Sequence, residues 1–526
     1  MVKIYFLNEL FIIILSGDEK GKEPRSDTAL IFNSIIYTTN TTPLSLSHFH
    51  LNNKTMAGFF TGTALLLLLL LFSLSTNATK YQTLIPSSHT LPQPNTNTLP
   101  LSSSEEEQLS LTENTLSLSL DLHHLDTLSL PANATPESLF NHRLSRDSAR
   151  VKTITSLASN RTNTKADFSS SVISGLAQGS GEYFTRIGIG TPARYAYMVL
   201  DTGSDVVWIQ CSPCRRCYTQ SDPIFNPTKS KTFAGVACGT PLCNRLDSPG
   251  CNNRNKKCMY QVSYGDGSFT VGEFSTETLT FRKTKVNNIA FGCGHDNEGL
   301  FVGAAGLLGL GRGKLSFPNQ AGRQFGSKFS YCLVDRSMSA KPSSLVFGNA
   351  AVSRVARFTP LVSNPKLDTF YYVGLAGISV GGVRVPGISS SLFQLDNSGN
   401  GGVIIDSGTS VTRLTRPAYV ALRNAFLSGA SHLKRGPNFS LFDACFDLSG
   451  KTEVKVPTVV MHFKGADVSL PASNYLIPVD SNGSFCLAFA GTTSGLSIIG
   501  NIQQQGFRVV YDLAGSRVGF APKGCA

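Results

Sequence analysis

Two stretches of this 526-residue chain repeat each other in residues that do acid–base chemistry. Val199 to Ile209 reads VLDTGSDVVWI, and Ile404 to Leu414 reads IIDSGTSVTRL. Each has an apolar pair, an Asp, a hydroxyl residue, a Gly and a second hydroxyl residue. The two aspartates, Asp201 and Asp406, lie 406 − 201 = 205 positions apart. Apolar residues before each Asp put it at the end of a buried strand. Gly203 and Gly408 let the backbone turn sharply and approach another backbone closely. The hydroxyls of Thr202, Ser204, Ser407 and Thr409 are suited to donate to the carboxylates and hold them coplanar. One copy alone equally fits an Asx-type turn at a strand end. Two copies in the same context predict a fold that brings both carboxylates into one site.

Two carboxylates in contact cannot both ionise easily, so the pair shares one proton over an acidic range. The ionised member can take a proton from a water held between them, and the protonated member can donate to a carbonyl oxygen. Amide hydrolysis then needs no covalent intermediate, no metal and no cofactor. The nine His residues show no metal-ligand spacing. Gly306 to Gly313 (GLLGLGRG) superficially resembles a phosphate loop, but no Gly-Lys-Ser/Thr follows.

The elements that must position these groups are strands. From Glu182 onward Val, Ile, Phe and Tyr alternate with Gly, Asn, Asp and Pro turns, the pattern of an all-β protein. Exceptions are Pro417 to Gly429, with Pro at its start and Gly at its end, and a short segment near Pro318 to Phe325. The repeated motif implies two similar halves, 181–348 and 366–526, with the join near 349–368. Ser169 to Gly181 marks the boundary with what precedes them.

Upstream, residues 1–55 form an N-terminal extension of uncertain nature. Residues 56–78 read as a signal peptide: the apolar run Ala64 to Leu74 is short for a bilayer span and suits a signal h-region. A signal anchor is the competing reading. Residues 79–166 read as a propeptide. Leu and Ser alternate from Leu116 to Leu120, as in a strand. Pro136 to Thr153 is compatible with a helix and carries Arg143, Arg146, Arg150 and Lys152. A basic segment ahead of an acidic site suggests inhibition; a solvated linker is the alternative.

All twelve cysteines fall between Cys211 and Cys525. An even number confined to the folded part fits a disulfide framework in an oxidising compartment. Cys211, Cys214 and Cys217 also have metal-site spacing, which export argues against. Asn438 and Asn482 begin glycosylation sequons. Secretion to the apoplast or delivery to the vacuole follows, with membrane contact only in transit. The net charge of +12 is scattered, with short runs at Arg254 to Lys257 and Arg282 to Lys285. Dispersed surface charge specifies no nucleic-acid partner, so protein or peptide substrates and a monomer are expected.

These motifs together resemble the pepsin-like aspartic proteases, in the cysteine-rich plant branch that includes nepenthesin and the guard-cell type. The resemblance covers roughly residues 181–526 and implies a bilobal fold with two β-barrel-like lobes and a cleft between them. Gly181 to Pro192 (GEYFTRIGIGTP) resembles the family's N-terminal strand. Val262 to Ser268 (VSYGDGS) resembles its flap hairpin, placing Tyr264 and Gly265 over the cleft, with Trp208 in the position that supports the flap tyrosine. Gly306 to Gly309 and Ile498 to Gly500 match the apolar threads beside each Asp loop. By the resemblance, Asp201 and Asp406 are catalytic, and the bridges are Cys211–Cys214, Cys217–Cys293, Cys238–Cys258, Cys243–Cys251, Cys332–Cys525 and Cys445–Cys486. Asp205 reads as an exposed loop carboxylate. Two alternatives remain. One is a catalytically inactive binding protein of the xylanase-inhibitor kind, against which the intact Asp406-Ser407-Gly408-Thr409 speaks. The other is a DNA-binding protease, against which the export signal and sequons speak.

Overall fold

In the computed structural model the described residues are 2–7, 10–15, 80–86, 91, 111–112, 115–124, 134–159, 183–264, 268–299, 301, 303–334 and 343–525. The chain divides into two units, Met1–Thr76 and Asn77–Ala526. In the first, Val2–Leu7 and Leu10–Leu15 pair as an antiparallel hairpin. The signal segment 56–78 lies outside the described residues. All that follows concerns the second unit.

Each half repeats one three-strand motif around its Asp. In the N-terminal half, Arg194–Asp201 runs parallel to Gly306–Gly309, with Asp201 opposite Gly309. Trp208–Gln210 packs antiparallel on the other side of the same strand. In the C-terminal half, Val403–Ile405 runs parallel to Ser497–Ile499, and Thr412–Thr415 pairs on its far side through Arg413 and Ile498. The threading strand must pass against backbone: a Cβ on Gly306 would sit 2.0 Å from the Trp208 carbonyl oxygen. Strands enclosed on both faces need continuous apolar residues, and Val199, Leu200, Leu307, Leu308, Ile404, Ile405, Ile498 and Ile499 are all buried.

A six-stranded antiparallel sheet joins the halves. Its order is Arg357–Val362, Arg517–Ala521, Arg508–Asp512, Lys328–Cys332, Ser343–Phe347 and Leu118–His124. The last strand comes from the upstream segment. Leu118, Leu120 and Leu122 point into the core while Ser119 is exposed, the period-two pattern that the Leu/Ser alternation predicts. A second upstream strand, Tyr81–Leu84, extends the C-terminal half beside Val454–Pro457. The expected helix is present as Arg416–Gly429, and the short segment before residue 325 as Phe317–Gln320 and Gly322–Phe325.

The cysteine pairing corrects the expected one. The bridges are Cys211–Cys293, Cys214–Cys217, Cys238–Cys251, Cys243–Cys258, Cys332–Cys525 and Cys445–Cys486. Cys211–Cys214, Cys217–Cys293, Cys238–Cys258 and Cys243–Cys251 do not form. Trp208–Gln210 lies parallel to Thr284–Glu298 with Ile209 opposite Cys293, and the Cys211 N–H donates to the Gly294 carbonyl. That register delivers Cys293 to Cys211 and leaves Cys214 and Cys217 to close their own loop. In the loop before the flap, Cys243 and Cys258 are both buried and meet in the core, whereas Cys251 is exposed and pairs with half-buried Cys238.

Candidate active site

The pseudo-symmetric threads bring Asp201 and Asp406 together at the centre of the molecule. Both are fully buried. The Gly203 N–H donates to Asp201 Oδ1 at 2.9 Å, and the Gly408 N–H donates to Asp406 Oδ1 at 3.3 Å. Thr409 Oγ1 donates to Asp406 Oδ2 at 2.6 Å. Thr202 Oγ1 accepts from the Ser407 N–H at 2.9 Å and donates to Asp406 Oδ1 at 3.2 Å. It also lies 3.2 Å from Ser407 Oγ. Thr202 thus locks one Asp loop to the other through Ser407 and Asp406, while Thr409 holds Asp406 within its own loop. Ser204 differs from expectation: its hydroxyl is buried and meets no hydrogen-bond partner among the described residues. Behind Asp406, Gln504 Nε2 donates to its backbone carbonyl at 3.1 Å.

Trp208 is completely buried, and its Nε1–H donates to the Tyr264 hydroxyl at 2.8 Å. It therefore serves as core and as flap support at once. Tyr264 sits at the tip of the hairpin formed by Lys257–Ser263 and Phe269–Phe281. Gly265 lies outside the described residues. A cavity of about 470 Å³ runs beneath the hairpin, bounded by Asp201, Tyr264, Leu315, Phe370, Ile154 and Arg150.

The last two of those residues belong to the upstream segment, whose helix Pro136–Ser159 occupies the rest of the cleft. Thr135 and Ser138 cap it reciprocally, the Ser138 N–H donating to Thr135 Oγ1 at 3.1 Å and the Thr135 N–H to Ser138 Oγ at 3.0 Å. Pro136 follows the cap, where its missing N–H costs nothing. The buried stripe Phe140, Leu144, Val151, Ile154 and Ala158 packs on the C-terminal half. Phe140 and Leu144 meet Val411, Ile477 and Ile502, and Val151 and Ile154 meet Leu367, Phe370 and Ile498.

Arg150 projects from this helix onto the two aspartates. Its Nε donates to Asp406 Oδ2 at 2.6 Å, and its Nη2 donates to Asp406 Oδ1 at 2.8 Å and to Asp201 Oδ1. The guanidinium lies directly above Gly408, where a Cβ would fall 2.3 Å from Arg150 Cζ. Burial alone would push the Asp406 carboxyl up. The Arg150 charge and hydrogen bond, with those of Thr409 and the Gly408 N–H, instead hold it below the usual carboxylate range. Burial likewise opposes the charge on Arg150, and the two aspartates outweigh it, raising its pKa above the ordinary arginine value. In this arrangement the guanidinium takes oxygens of both carboxylates.

Among the four basic residues of the helix, sequence reasoning could not single out Arg150. It missed Asp147 and Arg413 as well. Asp147, one turn earlier on the same face, is buried against Arg413 at 2.5 Å. Asp205 corrects another expectation. It is not an exposed loop group: Oδ1 accepts from the Gly313 N–H at 2.8 Å and Oδ2 from the Thr369 hydroxyl at 2.7 Å. Both sequon residues, Asn438 and Asn482, are exposed.

Residues 183–349 match the family described as xylanase inhibitor N-terminal, and residues 370–522 its C-terminal counterpart. Aspartyl protease family protein 2 of Arabidopsis thaliana is 70% identical over 460 residues, covering 85% of this chain and 94% of the relative. The chain belongs to the pepsin-like aspartyl protease family. Another family member, the Arabidopsis thaliana protein named aspartic protease in guard cell 2, is 50% identical over 391 residues, 73% of this chain and 82% of that one. Among solved structures, basic 7S globulin from soybean superposes with a TM-score of 0.51 at 21% identity, over 64% of this chain and 92% of the globulin. That likeness shares the family's bilobal β fold and extends no further.

Proposed function

We propose that Asp201 and Asp406 hydrolyse peptide bonds at acidic pH through a water bound between them, and that the chain is an inactive precursor closed by its own helix. The family makes this an aspartic-type endopeptidase. The observation that carries the rest of the reading is the Arg150 clamp on both carboxylates. A guanidinium seated on the pair satisfies the groups that must be free for chemistry. Removing it returns two contacting carboxylates that share a proton, one as base toward water and one as acid toward the scissile carbonyl. Six disulfides and two exposed sequons support folding in the secretory pathway. An inactive inhibitor on the same fold is not favoured, because both Asp motifs are intact and interlocked through Thr202 and Ser407.

The test is acid proteolysis by the wild type and by Asp201→Asn and Asp406→Asn. Each substitution is expected to lower kcat by at least about 10³-fold without changing the near-UV circular dichroism. Full activity in either variant would refute the assignment. A statine-type inhibitor is expected to block the wild type.

A further inference from the structure

Asp147 is held as a ligand is held. Its Oδ1 accepts from the backbone N–H groups of Ser410, at 2.5 Å, and Val411, at 3.1 Å. Its Oδ2 accepts from Arg413 Nη2 at 2.5 Å. All three donors belong to the segment that follows the second Asp motif, so the mature enzyme keeps them when the helix leaves. Arg413 is about 95% buried, at 5% exposure, and among the described residues its Nη1 meets no hydrogen-bond partner even with Asp147 in place. The Ser410 hydroxyl is also buried without one among the described residues. Departure of the helix therefore strips a buried guanidinium of an acidic partner and uncovers two N–H donors beside it. Such a cluster is costly to leave empty and is matched to a carboxylate.

Its place in the cleft says what would fill it. Asp147 precedes Arg150 by three residues, a helical rise of about 4.5 Å, and Arg150 covers the reacting centre. An extended peptide advances about 3.3 Å per residue, so the cluster lies within one to three residues of the scissile bond. We propose that Ser410 N–H, Val411 N–H and Arg413 form a substrate subsite for an acidic side chain, with Asp147 as its stand-in in the precursor. This inference rests on the protease reading above.

The test uses the full chain, acidified to release its helix, and peptides with blocked ends that differ only by Asp or Asn at each position flanking one cleaved bond. At about pH 5 the wild type is expected to favour Asp over Asn by about tenfold or more in kcat/KM at one position within three residues of the bond. Arg413→Met is expected to bring that ratio close to one, and Arg413→Lys to leave it intermediate. The ratio is taken within each enzyme, so a variant that matures poorly still reports. Equal cleavage of Asp and Asn peptides by the wild type, or a ratio unchanged in Arg413→Met, overturns the subsite while leaving the protease intact. A wild type that cleaves no peptide overturns the protease reading, and this inference with it.

Discussion

At the scale of single residues, Arg150 is the group seated on both aspartates, and on the proposed reading it closes the site. Three hydrogen bonds tie its guanidinium to Asp406 and Asp201. With the helix docked, Asp406 is held below the ordinary carboxylate range. On the proposed reading, once the helix is away the two carboxylates repel and the pair takes up a proton. The open state thus binds more protons than the closed one. The clamp contributes fully at pH above the titration of the open pair, and its contribution is lost as pH falls through that range toward the depressed closed-state value. Removing one partner of a buried ion pair typically costs about 3–5 kcal/mol, less whatever the dyad recovers by sharing a proton. Arg150→Met is therefore expected to open the precursor without strong acid. Cleavage of a quenched fluorescent peptide at pH 6 should appear at once in the variant and be absent from the wild type. A variant as silent as the wild type would mean that Arg150 is not the clamp.

At the scale of elements, the upstream segment enters the body three times, as the strand Tyr81–Leu84, the strand Leu118–His124 and the helix Pro136–Ser159. The first strand pairs with Val454–Pro457 alone, the second pairs with Ser343–Phe347, and the helix fills the cleft. Its hold depends on the buried apolar stripe Phe140, Leu144, Val151, Ile154 and Ala158, at spacings of four, seven, three and four residues, which share one helix face. Truncating a buried Leu to Ala costs about 2–5 kcal/mol. Leu144→Ala in an Asp201→Asn background, which removes self-cleavage, is expected to expose the helix to added trypsin at Arg143, Arg146 and Arg150. Cutting at least tenfold faster than in the parent is the expected result. An unchanged rate would show that the stripe does not hold the helix.

At the scale of the whole molecule, Asp205 links the two halves. It sits in the first Asp stretch, right after Ser204, and accepts from Thr369 at the start of the second half. Burial pushes its carboxyl up to about 6 from the ordinary 3.8, against the opposing hydrogen bonds from Thr369 and the Gly313 N–H. A raised carboxyl pKa means that the folded state holds the proton more tightly than the unfolded chain. The associated stability is complete below about 3.8 and is lost as pH rises through about 6. Melting temperature is thus expected to fall between pH 4 and pH 7 in the wild type and to fall less in Asp205→Asn, whose amide can still accept from Gly313 and donate to the Thr369 hydroxyl. An identical slope in both proteins would remove Asp205 from the pH dependence.

Much of this was readable from the chain alone, and the reason is locality. An apolar pair, Asp, hydroxyl and Gly encode a strand end and a tight turn wherever they occur, so Asp201 and Asp406, their hydroxyl neighbours and the Leu/Ser strand could be named from residue type and short spacing, and Tyr264 from the resemblance of its hairpin to the family's flap. What needed the tertiary structure was every choice among equivalent partners far apart in sequence. Cys211 faces two nearby cysteines in sequence, but a parallel strand register carries Cys293 to it. Arg143, Arg146 and Arg150 look alike along a helix, but only packing sets which of them faces the dyad. Asp205 and Ser204 both sit in the first motif, yet the opposite half of the molecule gives one its hydrogen bond and leaves the other without one. Asp147 and Arg413 are 266 positions apart, and no local pattern marks them as a pair. Residue type and short spacing set the chemistry that each group can do. Long-range packing decides which groups meet, because burial and register belong to the assembled fold.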